Sequence, residues 1–159
     1  MQCQPRIEVP TFMSPARAPS TVSVADAARQ HVLAEHREVV RTTLACADRV
    51  AADLELPADR DAVVTALDRE LEAAGAKADC VGLLREVVPA VGFDLLAEPV
   101  AASPYLVVTG RGVLLRVTVE VGRLVILLRG FEVDPGEGYV QASEEIDDVV
   151  ETRFRRQPD

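Results

Sequence analysis

Residues 112–133 read GVLLRVTVEVGRLVILLRGFEV, and this stretch constrains the fold more than any other. It is dense in Val, Leu and Ile, but Arg116, Glu120 and Arg123 interrupt it well short of the roughly 20 apolar residues that a membrane-spanning helix requires. Apolar and polar residues alternate with a period of two, which points to half-buried antiparallel strands. A two-residue turn at Val121-Gly122 sets Val119 opposite Leu124, Val117 opposite Ile126 and Leu115 opposite Leu128, all on one apolar face. A second turn at Gly110-Arg111 adds a strand from Tyr105 to Thr109, with Leu106 opposite Leu115 and Val108 opposite Val113. The two turns, placed independently, choose the same inner face. A one-residue slip in either would have exchanged the faces.

The second face is mixed. Tyr105, Val107, Leu114, Val125 and Leu127 share it with Arg116 and Arg129. It is too apolar for a fully solvated surface and too interrupted by charge for a dry core. Polar-rimmed apolar patches of this kind mark interfaces. These seven residues are the candidate interface, and the expected partner is a second copy of the chain, with Arg116 reaching Glu120 across a two-fold axis.

Upstream, the period is helical. Leu33, Val40, Leu44, Ala47, Ala51 and Leu54 fall on one face of a single helix over residues 22–54, with Ser23 as N-cap. Pro57 breaks that pattern, and Pro57 or Asp59 opens a second helix that buries Val63, Leu67, Leu71 and Ala74 and closes at Gly75. A third, short helix runs from about Asp79 to Val88. Past the sheet, Asp134-Pro135-Gly136 is a strong turn signal, and Tyr139–Gln141 returns as a short strand. Ser143 then caps a final helix. Residues 150–155 fit its continuation, although Val150, Thr152 and Phe154 also alternate with Glu151, Arg153 and Arg155 as a strand would. The expected fold is α+β: three N-terminal helices on a three- to four-stranded antiparallel meander, with a C-terminal helix. Residues 21–156 form this one domain (helices in 22–92, sheet and last helix in 104–156), and the Pro-rich residues 1–20 form a disordered tail. Met13 is a candidate start, which puts residues 1–12 in doubt.

Charge narrows the setting. Asp and Glu number 26 against 17 Lys and Arg, for a net of −9, and Lys77 is the only lysine. Such a chain repels phosphate, so nucleic acid is not the expected partner. An acidic, lysine-poor surface fits a salt-rich cytoplasm, where repulsion between carboxylates is screened. Cys3, Cys46 and Cys80 are odd in number and widely spaced, which fits reduced thiols, and Cys46 and Cys80 sit in helical patterns as core filler. No secretory signal is visible.

No motif for catalysis, cofactor or metal stands out, and the expectation is a non-enzymatic interaction module. His31 and His36 would point about 140° apart on a continuous helix and so cannot share a metal by themselves. His36 falls on the apolar stripe as a core histidine, and His31 pairs at i, i+4 with Glu35 on a more polar side. TGRG at residues 109–112 lacks the length and lysine of a phosphate-binding loop. RFRR at 153–156 is the one basic cluster, assigned to the end of the last helix or to solvated tail rather than to nucleic acid. The alternative function is a small-molecule or peptide sensor binding in a helix–sheet cleft, with His36 or Tyr105 as its polar handle.

The stretch ASPYLVVTGRGVLLRVTVEVGRLVILLRGFEVDPGEGYV, followed by SEEIDDVVETRFR, resembles small acidic proteins of halophilic archaea grouped as a domain of unknown function. The resemblance covers residues 102–155 by motif and about 25–156 by layout. It implies a cytoplasmic archaeal protein, and it implies no activity and no functional residues.

Overall fold

In a computed structural model, residues 21–142 and 145–157 are described, with side chains from Val24 onward. The expected tail, the start at Met13 and the Ser143 cap lie outside the described residues. Four helices come first: α1 (Thr21–Glu35), α2 (Arg37–Asp53), α3 (Arg60–Ala74) and α4 (Ala76–Ala90). Strands β1 (Leu106–Val108), β2 (Gly112–Val119) and β3 (Gly122–Arg129) follow, then the hairpin β4 (Phe131–Asp134) and β5 (Gly138–Gln141), a single turn of helix α5 (Ile146–Val149) and the last strand β6 (Val150–Arg156). The main sheet is antiparallel in the order β1-β2-β3-β6, and β4-β5 forms a separate two-stranded sheet.

The helical half corrects the expectation of three helices. The continuous helix over 22–54 is two, because His36 leaves helical geometry at φ −128°, ψ 30°. A straight helix of 33 residues would be about 50 Å long and could not keep one face on this sheet. With the break, α1 lies along β6 and buries Val24, Ala28 and Val32, while α2 buries Val40, Thr43, Cys46, Ala47 and Val50 on another line. The backbone already turns as a helix at Thr21, so Ser23 lies inside α1 and is not its cap. The second helix meets the expectation except at Ala74, which is exposed in its last turn: the Asp59 carboxylate accepts from the Ala62 N–H at 2.9 Å, and Gly75 ends the helix with φ +70°. Beyond Gly75 the chain enters α4 directly, three residues earlier than expected from Asp79.

The largest correction is the C-terminus. Residues 150–156 are a strand, and the helix before them has four residues. Alternation decides it. Val150 and Phe154 are buried, Phe154 stacks on Phe93 with ring centroids 5.6 Å apart, and Arg153 and Arg155 are exposed. A helix would have scattered the same residues around its axis. Arg29 and Thr152 sew α1 to this strand: the Arg29 Nε–H donates to the Val150 carbonyl at 3.1 Å, and the Thr152 hydroxyl donates to the Ala25 carbonyl at 2.7 Å.

The first hairpin has the expected register, with Leu106 opposite Leu115 and Val108 opposite Val113. The second is shifted by two residues. Val119 pairs with Gly122, Val117 with Leu124 and Leu115 with Ile126, so the turn is Glu120-Val121. A shift of two preserves every side chain's face. Gly122 is in the strand because β6 passes so close that a Cβ there would stand 2.4 Å from the Arg155 carbonyl oxygen. The expected hairpin after Phe131 is present, and it is bridged to the α2–α3 connection through Ala58 and Tyr139. The core lies between the helices and the inner sheet face, where Val113, Leu115, Val117, Leu124, Ile126 and Leu128 are buried.

Candidate functional site

The outer sheet face is built by the same alternation that builds the core. Register places Tyr105 and Val107 of the β1 edge, Leu114 and Arg116 of β2, and Arg123, Val125, Leu127 and Arg129 of β3 on this side. Adding β6 brings in Glu151, Arg153 and Arg155, which pair with Leu127, Val125 and Arg123. All seven residues of the candidate interface therefore share one face. Arg123, Arg153 and Arg155 join them and were missed as members. The alternation in VETRFR is the signal for Arg153 and Arg155, and the hairpin alternation already places Arg123 on this face.

The face has two halves. Around Leu127 the charges are paired: Arg129 Nη1 lies 2.9 Å and Arg111 Nη2 3.3 Å from one Glu151 carboxylate oxygen. Arg129 also donates through Nη2 to the Asp148 carbonyl at 2.8 Å. Under this clamp Leu127 is only 9% exposed. Around Val125 the charges are not neutralised. Arg116, Val125 and Arg153 form one rung across three strands, and Thr118, Arg123 and Arg155 form the next rung on the same face. With strands about 4.8 Å apart, Arg116 and Arg153 flank Val125 at a backbone separation of about 10 Å. Among the described residues these four arginines make no ion pair, and Arg116 only donates to the Pro104 carbonyl at 3.3 Å. Arg123, Arg153 and Arg155 are exposed and Val125 is half-buried, so no described element covers this half.

Tyr105 borders a shallow cavity of about 300 Å³ between the 96–97 loop, Pro104, Arg116 and Arg123. It opens on the outer sheet face and is not the helix–sheet cleft expected for a sensor. His36 takes no part in it.

His36 sits instead in the helical layer, where the α1–α2 break corrects the geometry expected for the two histidines. The His31 and His36 rings face each other with centroids 5.1 Å apart, and both Nε2 atoms are buried without a hydrogen-bond partner among the described residues. Glu86 of α4 approaches His36 Nε2 at 3.7 Å. Burial holds the His36 imidazole below its ordinary value and His31 adds to that, against the opposing pull of Glu86 and Glu35. Cys46 and Cys80 are buried free thiols. Burial raises both, Cys80 to about 12, so they are inert core residues.

Among the described residues no helix is long and apolar enough to cross a membrane. Neither a curated protein nor a solved structure matches the chain. A family model does match, over residues 26–155, which takes in the helical half as well as the sheet motif. The chain belongs to the family described as a domain of unknown function, DUF7988.

Proposed function

We propose that the protein is a non-enzymatic interaction module whose outer sheet face receives a carboxylate-rich protein segment. One observation carries this reading: in a chain of net charge −9, four arginines from three adjacent strands converge around Val125 without a carboxylate partner among the described residues. Guanidinium groups match carboxylates in two-point geometry. An apolar centre ringed by arginine is the composition of an interface hot spot. Phosphate shares the two-point geometry, but the chain's overall charge opposes a polyanion at long range, and among the described residues no row of aromatic rings lies on this face to stack bases. Self-association through this face, the expectation from sequence, would set two unneutralised arginine clusters against each other across a two-fold axis. An acidic partner meets no such repulsion.

The setting inferred with this reading is the cytoplasm of a salt-adapted archaeon, supported by the excess of 26 acidic over 17 basic residues and by the single lysine. At molar salt the Debye length is about 3 Å, so steering is lost and binding rests on contact-range Arg–carboxylate pairs together with Val125 and Leu114.

A fluorescein-labelled peptide alternating Glu with Leu is the test probe, titrated into wild-type protein and into Arg153→Glu/Arg155→Glu. Binding to the wild type that the double variant loses is the expected result. Stronger binding of a single-stranded oligonucleotide, or a wild-type dimer in sedimentation that the variant abolishes, would replace the acidic protein as occupant. Absence of peptide binding at low and high salt would end the proposal.

A further inference from the structure

We propose that His31, His36 and Glu86 form a binding site for one divalent transition-metal ion of the zinc class, at the junction of α1, α2 and α4. The donor atoms come from separate elements: His31 from α1, His36 from the break between α1 and α2, and Glu86 from α4. One ligand atom from each lies within 4.8 Å of the other two. Donors around tetrahedral zinc, at bond lengths of about 2.0–2.1 Å, stand about 3.3 Å apart, so a modest inward movement closes the set. The residue free to move is Glu86, whose side chain is 69% exposed, and it already lies 3.7 Å from His36 Nε2.

Two independent features point to a missing ligand partner. His36 is 8% exposed, and its Nε2 and that of His31 are both buried with no hydrogen bond among the described residues. A buried polar atom without a partner costs about 1–3 kcal/mol, and here two such atoms belong to rings whose centroids are 5.1 Å apart. The second feature is the backbone. The helix breaks at His36, with neither Pro nor Gly at positions 35–37, and that break turns ring directions about 140° apart in a continuous helix into a facing pair.

Two imidazoles and a carboxylate are borderline donors that suit zinc, cobalt, nickel or copper, in contrast to the all-oxygen sets of magnesium and calcium. Three protein donors leave a fourth tetrahedral position, as in open zinc sites, and the exposure of Glu86 puts the site within reach of solvent. A bound ion would tie α4 to the α1–α2 corner.

The experiment uses the untagged full chain, stripped with EDTA and titrated with Co²⁺ or Zn²⁺, with Mg²⁺ as control. The expected result is one Co²⁺ per chain with visible d–d absorption, a higher thermal midpoint with Zn²⁺ and no response to Mg²⁺. His31→Gln should lose the bands and the midpoint shift. Glu86→Gln changes an exposed side chain and keeps the fold even if a His36 variant does not, and it should weaken Co²⁺ binding. No Zn²⁺-dependent shift in the wild type, or binding undiminished in both His31→Gln and Glu86→Gln, overturns the site. The outer-face proposal is unaffected by either outcome.

Discussion

The inner and outer faces of the four-stranded sheet are made by alternate residues of the same strands, so backbone, register and local sequence are shared between them. Only the surroundings differ. The inner face meets four helices, and every central position is aliphatic: Val117, Leu124, Ile126 and Leu128 are each no more than 2% exposed. The outer face meets no described element around Val125, and arginine occupies four of the six positions on its two central rungs. Burial selects by volume and apolarity. An open face is free to carry charge, but a fold has no use of its own for four like charges in one place. Their presence is a departure from what stability alone would select, and departures of that kind concentrate at functional sites.

The sharpest way to break this comparison is to exchange one residue on each side. Val117→Asp puts a carboxylate without a partner into the aliphatic layer, at a cost of several kcal/mol, a large share of the total stability of a domain this size. The variant should be unfolded or nearly so by circular dichroism at 25 °C. Thr118→Asp, on the neighbouring exposed position beside Arg123, should melt within about 0.5 kcal/mol of wild type. Equal melting of the two variants would show that the faces are assigned the wrong way round.

A second substitution probes the strand that completes the outer face. Gly122→Ala sets a Cβ 2.4 Å from the Arg155 carbonyl oxygen, a backbone atom that cannot rotate away. The β3–β6 ladder must open locally, with a loss of roughly 1–3 kcal/mol, as overpacking typically costs. Hydrogen exchange should show faster exchange at residues 153–156 than elsewhere in the sheet. Protection unchanged at those amides would mean that β6 does not pair closely with Gly122.

Much of this was legible in the sequence, and the failures have physical causes. The inner face survived a register error of two residues because the side-chain period is two. That error came from reading Gly122 as a turn residue, when its role is to admit a neighbouring backbone, a constraint set by a strand more than 30 residues away. VETRFR was given to a helix because its acidic approach, SEEIDD, looks like a helical first turn. Its alternation was visible, but it was outweighed, and with it went half of the arginine cluster. The two histidines point apart on a continuous helix, and their segment holds no proline or glycine that would break one. Nothing local to His36 announces the kink, which sets α1 and α2 on different parts of one core.

Salt sharpens the comparison without mutation. Self-repulsion from the net charge of −9 should be relieved by screening, as the Debye length falls from about 10 Å at 0.1 M to about 3 Å at 1 M. The thermal midpoint should rise by several degrees from about 0.1 M to about 1 M KCl, since about 1 kcal/mol moves it roughly 2–8 °C in domains near this size. Equal midpoints would show that carboxylate repulsion does not limit stability. Leu127→Arg, an obvious probe of the outer face, would confuse this reading, because Leu127 lies under the Arg129–Glu151 pair and is only 9% exposed. Val125, half-buried among the free arginines, is the cleaner position.

The smallest effect carries the most specific information. Arg153 and Arg155 are two residues apart on one strand, about 7 Å along it, and two unit charges at 7 Å in water repel by about 0.6 kcal/mol before screening. Arg123, diagonal to Arg153 on β3, and Arg116, two strands away, add weaker repulsions on Arg153, and Glu151, as far from it as Arg155, is already shared between Arg111 and Arg129. Removing one charge should therefore help the fold. Arg153→Gln should stabilise the protein by a few tenths of a kcal/mol at low salt, even though it makes the net charge more negative, because the nearest charges dominate within one Debye length. The gain should vanish at about 1 M KCl, while binding of the Glu-Leu peptide weakens at both salts. A stabilised variant that has lost its ligand is the signature of residues held for binding at the expense of stability. If Arg153→Gln instead destabilises the chain by more than about 1 kcal/mol, the arginines are structural, and the two faces of the sheet are not as different as they look.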